Sequence, residues 1–178
     1  MTLKELQKIL TSIAPADREA MDRAKKRQAE LAKPPGSLGK LEDMSIRLAG
    51  ITGQVRNQLE SCRILVFAAD NGVIAEGVSS SPESVTLSQA VNMTRHITGM
   101  SALARYFGNS VVVADVGINA EVRCPAILNR KIRRSTRNLA KEPALTRQEV
   151  LDAMGVGLEL AGQAKEEGVQ AIGVGEMG

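Results

Sequence analysis

Three short apolar runs constrain this chain more than anything else in it. CRILVFAAD carries a continuous apolar run over Ile64 to Ala69, NSVVVADVG a mainly apolar one over Val111 to Val116, and VQAIGV, residues 169–174, a third short one. Runs of this length suit strands, and continuous rather than alternating ones suit strands covered on both faces. The first ends in the turn signal Asp70-Asn71-Gly72, and the second closes at Gly117. Between the runs the spacing predicts helices. One covers Val85 to Phe107, with Leu87, Val91, Ile97 and Leu103 along one side. Another opens at Thr146, with Glu149 three residues on in the capping-box relation, and closes at Gly168. Strand alternating with helix predicts an α/β fold, a Rossmann-like parallel sheet with helices on both faces.

Helices come first in the chain. Leu3, Leu6, Leu10 and Ile13 recur at helical spacing, a charged helix runs from Asp17 to about Leu31, and another from Leu41 to about Gln54. KPPGSLGKLE separates the last two, because Pro34 and Pro35 cannot continue a helix and Gly36 and Gly39 permit turns. In open parallel sheets, ligands bind beyond the carboxyl ends of the strands. Asp70, Asp115 and Glu176 fall at those ends. Each is either part of a site or the cap of a loop.

Gly173, Gly175 and Gly178 spell G-x-G-x-x-G, the spacing of a dinucleotide fingerprint. That fingerprint follows the first strand and needs an acid about 20 residues later. Here it follows the third strand, so a nicotinamide or flavin cofactor is not expected. Glu176 stands between Gly175 and Gly178, and backbone N–H groups after it can face an anion, which suits a ribose-phosphate.

Composition excludes other classes. Aromatics are 2% of the residues, with no Trp, so a platform for stacking nucleic-acid bases is not expected despite the net charge of +3. The basic stretch Arg123 to Lys141 reads as a solvated surface, with a loop, a hairpin or an anion-binding face as the alternatives. Cys62, Cys124 and His96 cannot complete a zinc site by themselves, so no metal is expected. The first residues lack the apolar run of a signal peptide and no stretch reaches membrane-span length, so no membrane partner and a cytoplasmic location are expected.

Five stretches, in order, resemble one family: KPPGSLGKLE (Lys33 to Glu42), FAADNGVIAEGVSSSPESVT (Phe67 to Thr86), QAVNMTRHITG (Gln89 to Gly99), VADVGI (Val113 to Ile118) and GVGEMG (Gly173 to Gly178). Together they are similar to the nicotinate-nucleotide–dimethylbenzimidazole phosphoribosyltransferases of cobalamin nucleotide-loop assembly. The resemblance implies transfer of the 5-phosphoribosyl group of nicotinate mononucleotide to a benzimidazole nitrogen, giving α-ribazole 5′-phosphate and nicotinate. Such a reaction needs a carboxylate to take the attacking nitrogen's proton, an apolar slot for the flat base, and donors for the phosphate. No pyrophosphate leaves, so neither a magnesium clamp nor any cofactor is implied.

By resemblance, Ser81 and Gln89 line the base pocket, and Ser80 and Pro82 shape its wall. Glu176 lies near the ribose, Gly175 and Gly178 bring backbone close to substrate, and Asp70 faces the same crevice. Ser81, Gln89 and Glu176 are therefore expected to approach one cleft. Lys33 and Ser37 belong to a signature loop, where Lys33 either contacts phosphate or serves a turn. Three departures are local: Asn71 stands where many members carry His, Ser135 where Gly is common, and Ala144 to Thr146 where AMT is common. Members are about twice this length, which makes the fold incomplete at the C-terminus and puts the main general base downstream. The implied organisation is a helical small-domain part and linker over 1–40 and the N-terminal part of a large α/β domain over 41–178. A homodimer is also implied. The alternative is a truncated, non-catalytic fragment that binds the base or nucleotide. The preferred base stays open among benzimidazoles, adenine and phenols.

Overall fold

At the centre of the sheet lies β1 (Cys62–Ala69), with Leu65, Val66 and Ala68 buried. The computed structural model describes all residues from Met1 to Gly178. On one side of β1 comes β2 (Ser110–Gly117), followed by β3 (Ile127–Asn129); on the other side comes β4 (Ala171–Met177). The order is β3-β2-β1-β4, and every pairing is parallel. Alternate side chains of these strands supply two apolar layers. Val66, Ala68 and Val113 pack with Ala90 and Leu87 of α4 (Ser84–Thr94) and with Met100 of α5 (Gly99–Tyr106). Leu65 and Ala114 pack on the opposite face with Val156 and Leu160 of α6 (Arg147–Glu166). Helices therefore cover both faces, as the continuous apolar strands require.

Two elements depart from expectation. The helix over Val85 to Phe107 is two helices. His96 takes a left-handed φ of 58°, and Thr98 begins afresh as the N-cap of α5, in a reciprocal capping box with Ser101. The apolar spacing continues across that break, so periodicity alone does not reveal it. The basic stretch also hides β3. Ile127 is buried, and the ladder to β2 runs on past it, with the Arg130 N–H donating to the Asp115 carbonyl and the Ile132 N–H to that of Val116. The stretch is not simply a solvated surface: Arg130 pairs with Glu159 at 2.7 Å, Lys131 with Asp115 at 2.9 Å and Arg137 with Glu149 at 2.8 Å. A three-residue strand followed at once by cations carries too little apolar signal to be read.

Residues Met1–Leu6 and Glu60–Gly178 form this α/β unit, and Gln7–Leu59 form a second, helical one. Helix α1 (Leu3–Ser12) spans that boundary. Within the helical unit, α2 (Arg18–Glu30) and α3 (Lys40–Thr52) meet through small side chains, with Ala20, Ala24 and Ala49 buried. Asp17 starts α2 by accepting from the Ala20 N–H, while its own N–H donates to the Gly50 carbonyl at 2.8 Å. In the loop between the helices, Lys33 reaches Glu42 at 2.6 Å, and the same Glu42 oxygen accepts from the Leu38 N–H. The first and last charged residues of that motif thus close its turn, the structural of the two roles weighed for Lys33.

Candidate ligand-binding cavity

From β1 the chain crosses by α4 and α5 to β2 on one side. From β3 it returns by α6, on the other face, to β4 on the opposite side of β1. The connections diverge between β1 and β4, and a parallel sheet opens a crevice at such a point, beyond the strand ends. A cavity of about 290 Å³ lies there, at the small end of the range for ligand pockets. Asp70 and Asn71 line it from the end of β1, and Met177 and Gly178 from the end of β4. Val73 and Ile74, from a 3₁₀ turn over Gly72–Glu76, join Val78, Pro82 and Val85 as its apolar lining. Ser79, Ser81, Glu83 and Thr86 add polar groups.

The turn that opens the cavity is held closely. The Gly72 N–H donates to the Thr136 hydroxyl at 3.1 Å, and a Cβ at Gly72 would lie 2.9 Å from the Arg137 carbonyl carbon. Only glycine admits that approach of residues 136 to 138. The three strand-end acids have separate roles in the chain. Asp115 is buried, and one of its oxygens accepts from the N–H groups of Gly117 and Ile118 while the other pairs with Lys131. It holds its own loop. Asp70 is also buried, but it lines the cavity, and its Oδ2 accepts from the Asn119 N–H at 2.7 Å. Glu176 is exposed on the edge strand.

Of the residues singled out from sequence, Asp70, Ser81, Pro82 and Gly178 share the cavity lining. Ser80 is exposed beside Ser81 and is not part of that lining. Gln89 is half-buried one helical turn beyond Val85 and also lies outside it. Gly175 pairs with Val66 and Glu176 with Phe67 in the ladder. Strand alternation assigns Glu176 to the face of Phe67, which packs in the α6 layer, and Met177 to the α4 layer. The cavity therefore contains Ser81 but neither Gln89 nor Glu176. Two lining or supporting residues went unread in the sequence: Glu83, although it directly follows Pro82 in a quoted motif, and Asn119, which directly follows another. Neither belongs to a residue pattern with a chemical meaning of its own. No three His, Cys, Asp or Glu side chains converge as a metal site, and no helix is long and apolar enough to cross a membrane.

A doubly wound parallel sheet with a cavity of mixed apolar and polar lining at its switch point has the architecture of the α/β class, in which ligands bind beyond the strand ends. A family model described as phosphoribosyltransferase matches residues 13–178, and the chain belongs to that family. It is 44% identical over 178 residues to the nicotinate-nucleotide–dimethylbenzimidazole phosphoribosyltransferase of Ruminiclostridium cellulolyticum, covering 100% of this chain and 50% of that protein. It is 42% identical over 179 residues to the protein of that name from Geobacter sulfurreducens, again covering 100% and 50%. The crystal structure of the Thermus thermophilus enzyme of that name superposes with a TM-score of 0.84 at 39% identity, over 91% of this chain and 49% of that one. The chain spans about half the length of the curated relatives it matches.

Proposed function

We propose that this chain carries the base-binding cavity of a nicotinate-nucleotide–dimethylbenzimidazole phosphoribosyltransferase. In that reaction the 5-phosphoribosyl group of nicotinate mononucleotide passes to 5,6-dimethylbenzimidazole or a related base, within cobalamin biosynthesis. The observation that carries the reading is the cavity between the ends of β1 and β4, where Ser81 and Pro82 stand with the apolar side chains Val73, Ile74, Val78, Val85 and Met177. An apolar slot gains by taking a flat ring out of water, and a few placed polar groups orient it. The relatives' names point to the same substrates.

Ser80, Ser81, Gln89 and Asp70 are proposed for the base side, and Gly175 and Gly178 for the ribose-phosphate side. Glu176 is proposed as a supporting carboxylate near the ribose. At Gly178 a Cβ would lie 2.5 Å from the Ala69 carbonyl oxygen, so the packing of the strand ends itself requires glycine there. The division into a small-domain part over 1–40 and a large domain from 41, the homodimer and the cytoplasmic location belong to the same reading.

A family-length protein carrying residues 1–178 is expected to convert nicotinate mononucleotide and dimethylbenzimidazole into equal amounts of nicotinate and α-ribazole 5′-phosphate, resolved by chromatography. Neither product, or nicotinate without the ribazole phosphate, contradicts the assignment.

A further inference from the structure

Resting on the base-binding reading of the cavity, we propose that Thr136 and Asn138 are positioning residues for it. They grip the two ends of the 3₁₀ turn and so hold Val73 and Ile74 in the wall on which the ring's hydrocarbon edge packs.

A 3₁₀ turn holds itself poorly, because its hydrogen-bond geometry is worse than that of an α-helix. This one spans Gly72–Glu76 and puts Val73 and Ile74 into the cavity lining. Its support comes from a segment far along the chain. At the start of the turn, the Gly72 N–H donates to the Thr136 hydroxyl at 3.1 Å, and that hydroxyl donates onward to the Arg137 carbonyl at 3.0 Å. Its one proton is thus committed, and a lone pair is left for Gly72. At the end of the turn, Asn138 Nδ2 donates to Glu76 Oε1 at 2.5 Å, with Lys141 Nζ 3.4 Å from the same oxygen. Asn138 Oδ1 accepts from the Ala140 N–H at 3.0 Å, which turns the amide so that its NH₂ faces Glu76. A bond to a carboxylate is stronger than one between neutral groups.

The gripping segment is itself pinned. The Ser135 N–H donates to the Gly117 carbonyl at 2.9 Å and the Thr136 N–H to the Asp70 carbonyl at 3.0 Å, which ties the segment to the ends of β2 and β1. The Arg137 N–H donates to the Ala144 carbonyl at 2.9 Å, and its guanidinium holds Glu149 of α6 at 2.8 Å. Thr136 and Asn138 do not line the cavity; they reach it through the turn alone.

A wall held in place rewards groups that fill the space against it, and a wall free to shift loses those contacts. The two methyl groups of 5,6-dimethylbenzimidazole are such groups, and benzimidazole is the same ring without them.

A family-length protein carrying residues 1–178 tests this, with kcat and KM for both bases read from nicotinate release. Wild type is expected to prefer the dimethyl base by about tenfold in kcat/KM. Thr136→Val and Asn138→Ala are each expected to reduce that preference to about threefold or less, by raising KM for the dimethyl base while KM for nicotinate mononucleotide stays at its wild-type value. Thr136→Ser, which keeps the hydroxyl, is expected to retain the preference. Glu159→Gln, which removes the Arg130 pair and touches no part of the turn, controls for lost stability and is expected to retain it too. The half-buried Asn138 keeps the test open if Thr136→Val does not fold. An unchanged ratio in active variants, an equal loss in Glu159→Gln, or a parallel rise in KM for nicotinate mononucleotide overturns the proposal. Wild type that uses both bases equally overturns it and leaves the base-binding reading standing. Wild type that forms no product removes that reading, and the proposal with it.

Discussion

Ser135 occupies a backbone position that suits glycine. Its φ is 51°, and its hydroxyl is buried without a hydrogen-bond partner. A left-handed conformation and an unpaired buried hydroxyl each cost on the order of 1 kcal/mol or more, partly offset by the chain entropy a glycine loses on folding. Ser135→Gly is expected to stabilise the fold by about 1 kcal/mol, read as a higher denaturation midpoint in urea; a lower midpoint contradicts this account of the residue. At this scale the sequence was partly legible. The positions of Asp70, Asp115 and Glu176 at strand ends followed from the apolar runs alone. What each carboxylate does there depends on neighbours far off in the chain. Lys131 and the Gly117 and Ile118 N–H groups take up Asp115, and Asn119 binds Asp70, while Glu176 stands exposed on the edge strand. Glu83 and Asn119 were invisible as a pair because 36 residues separate them and only the fold joins them.

At the scale of elements, α6 and the loop before it hold together by charge as well as by packing. Thr146 and Glu149 form the capping box that sequence predicts. Glu149 also takes Arg137 through two hydrogen bonds, at 2.8 and 3.2 Å. The Arg137 guanidinium, and after it the Thr146 N–H, hold the Glu149 carboxyl down from its ordinary value of 4.5 to about 2. A carboxyl whose folded value is depressed contributes stability that is fully present above its ordinary value and is lost as pH falls toward the folded one. The contribution should therefore fade between about 4.5 and about 2. Melting temperatures of wild type and Glu149→Gln, compared across acid pH, are expected to differ most above that window and to converge through it. A difference that stays constant with pH contradicts the pairing. The helix start was readable because a capping box is a local pattern. The break at His96 and the short strand β3 were not, because both are decided by packing and long-range pairing.

For the whole molecule, the two faces of the sheet and the reversal of connections about β1 place one crevice at one end of the strands. Three apolar runs and the helices between them predicted that end as the place for ligands. The strand order that puts β4 beside β1, and so puts Gly178 across from Asp70 and Ser81, came only with the fold. The phosphoribosyltransferase family matches residues 13–178, and the cavity at the ends of β1 and β4 is the site proposed for the base. A crystal structure of this chain grown with 5,6-dimethylbenzimidazole tests this most directly. The account predicts the ring between Pro82, Val85 and Met177, with Ser81 at its edge. A ring bound elsewhere on the chain, with that cavity left without it, would contradict the account.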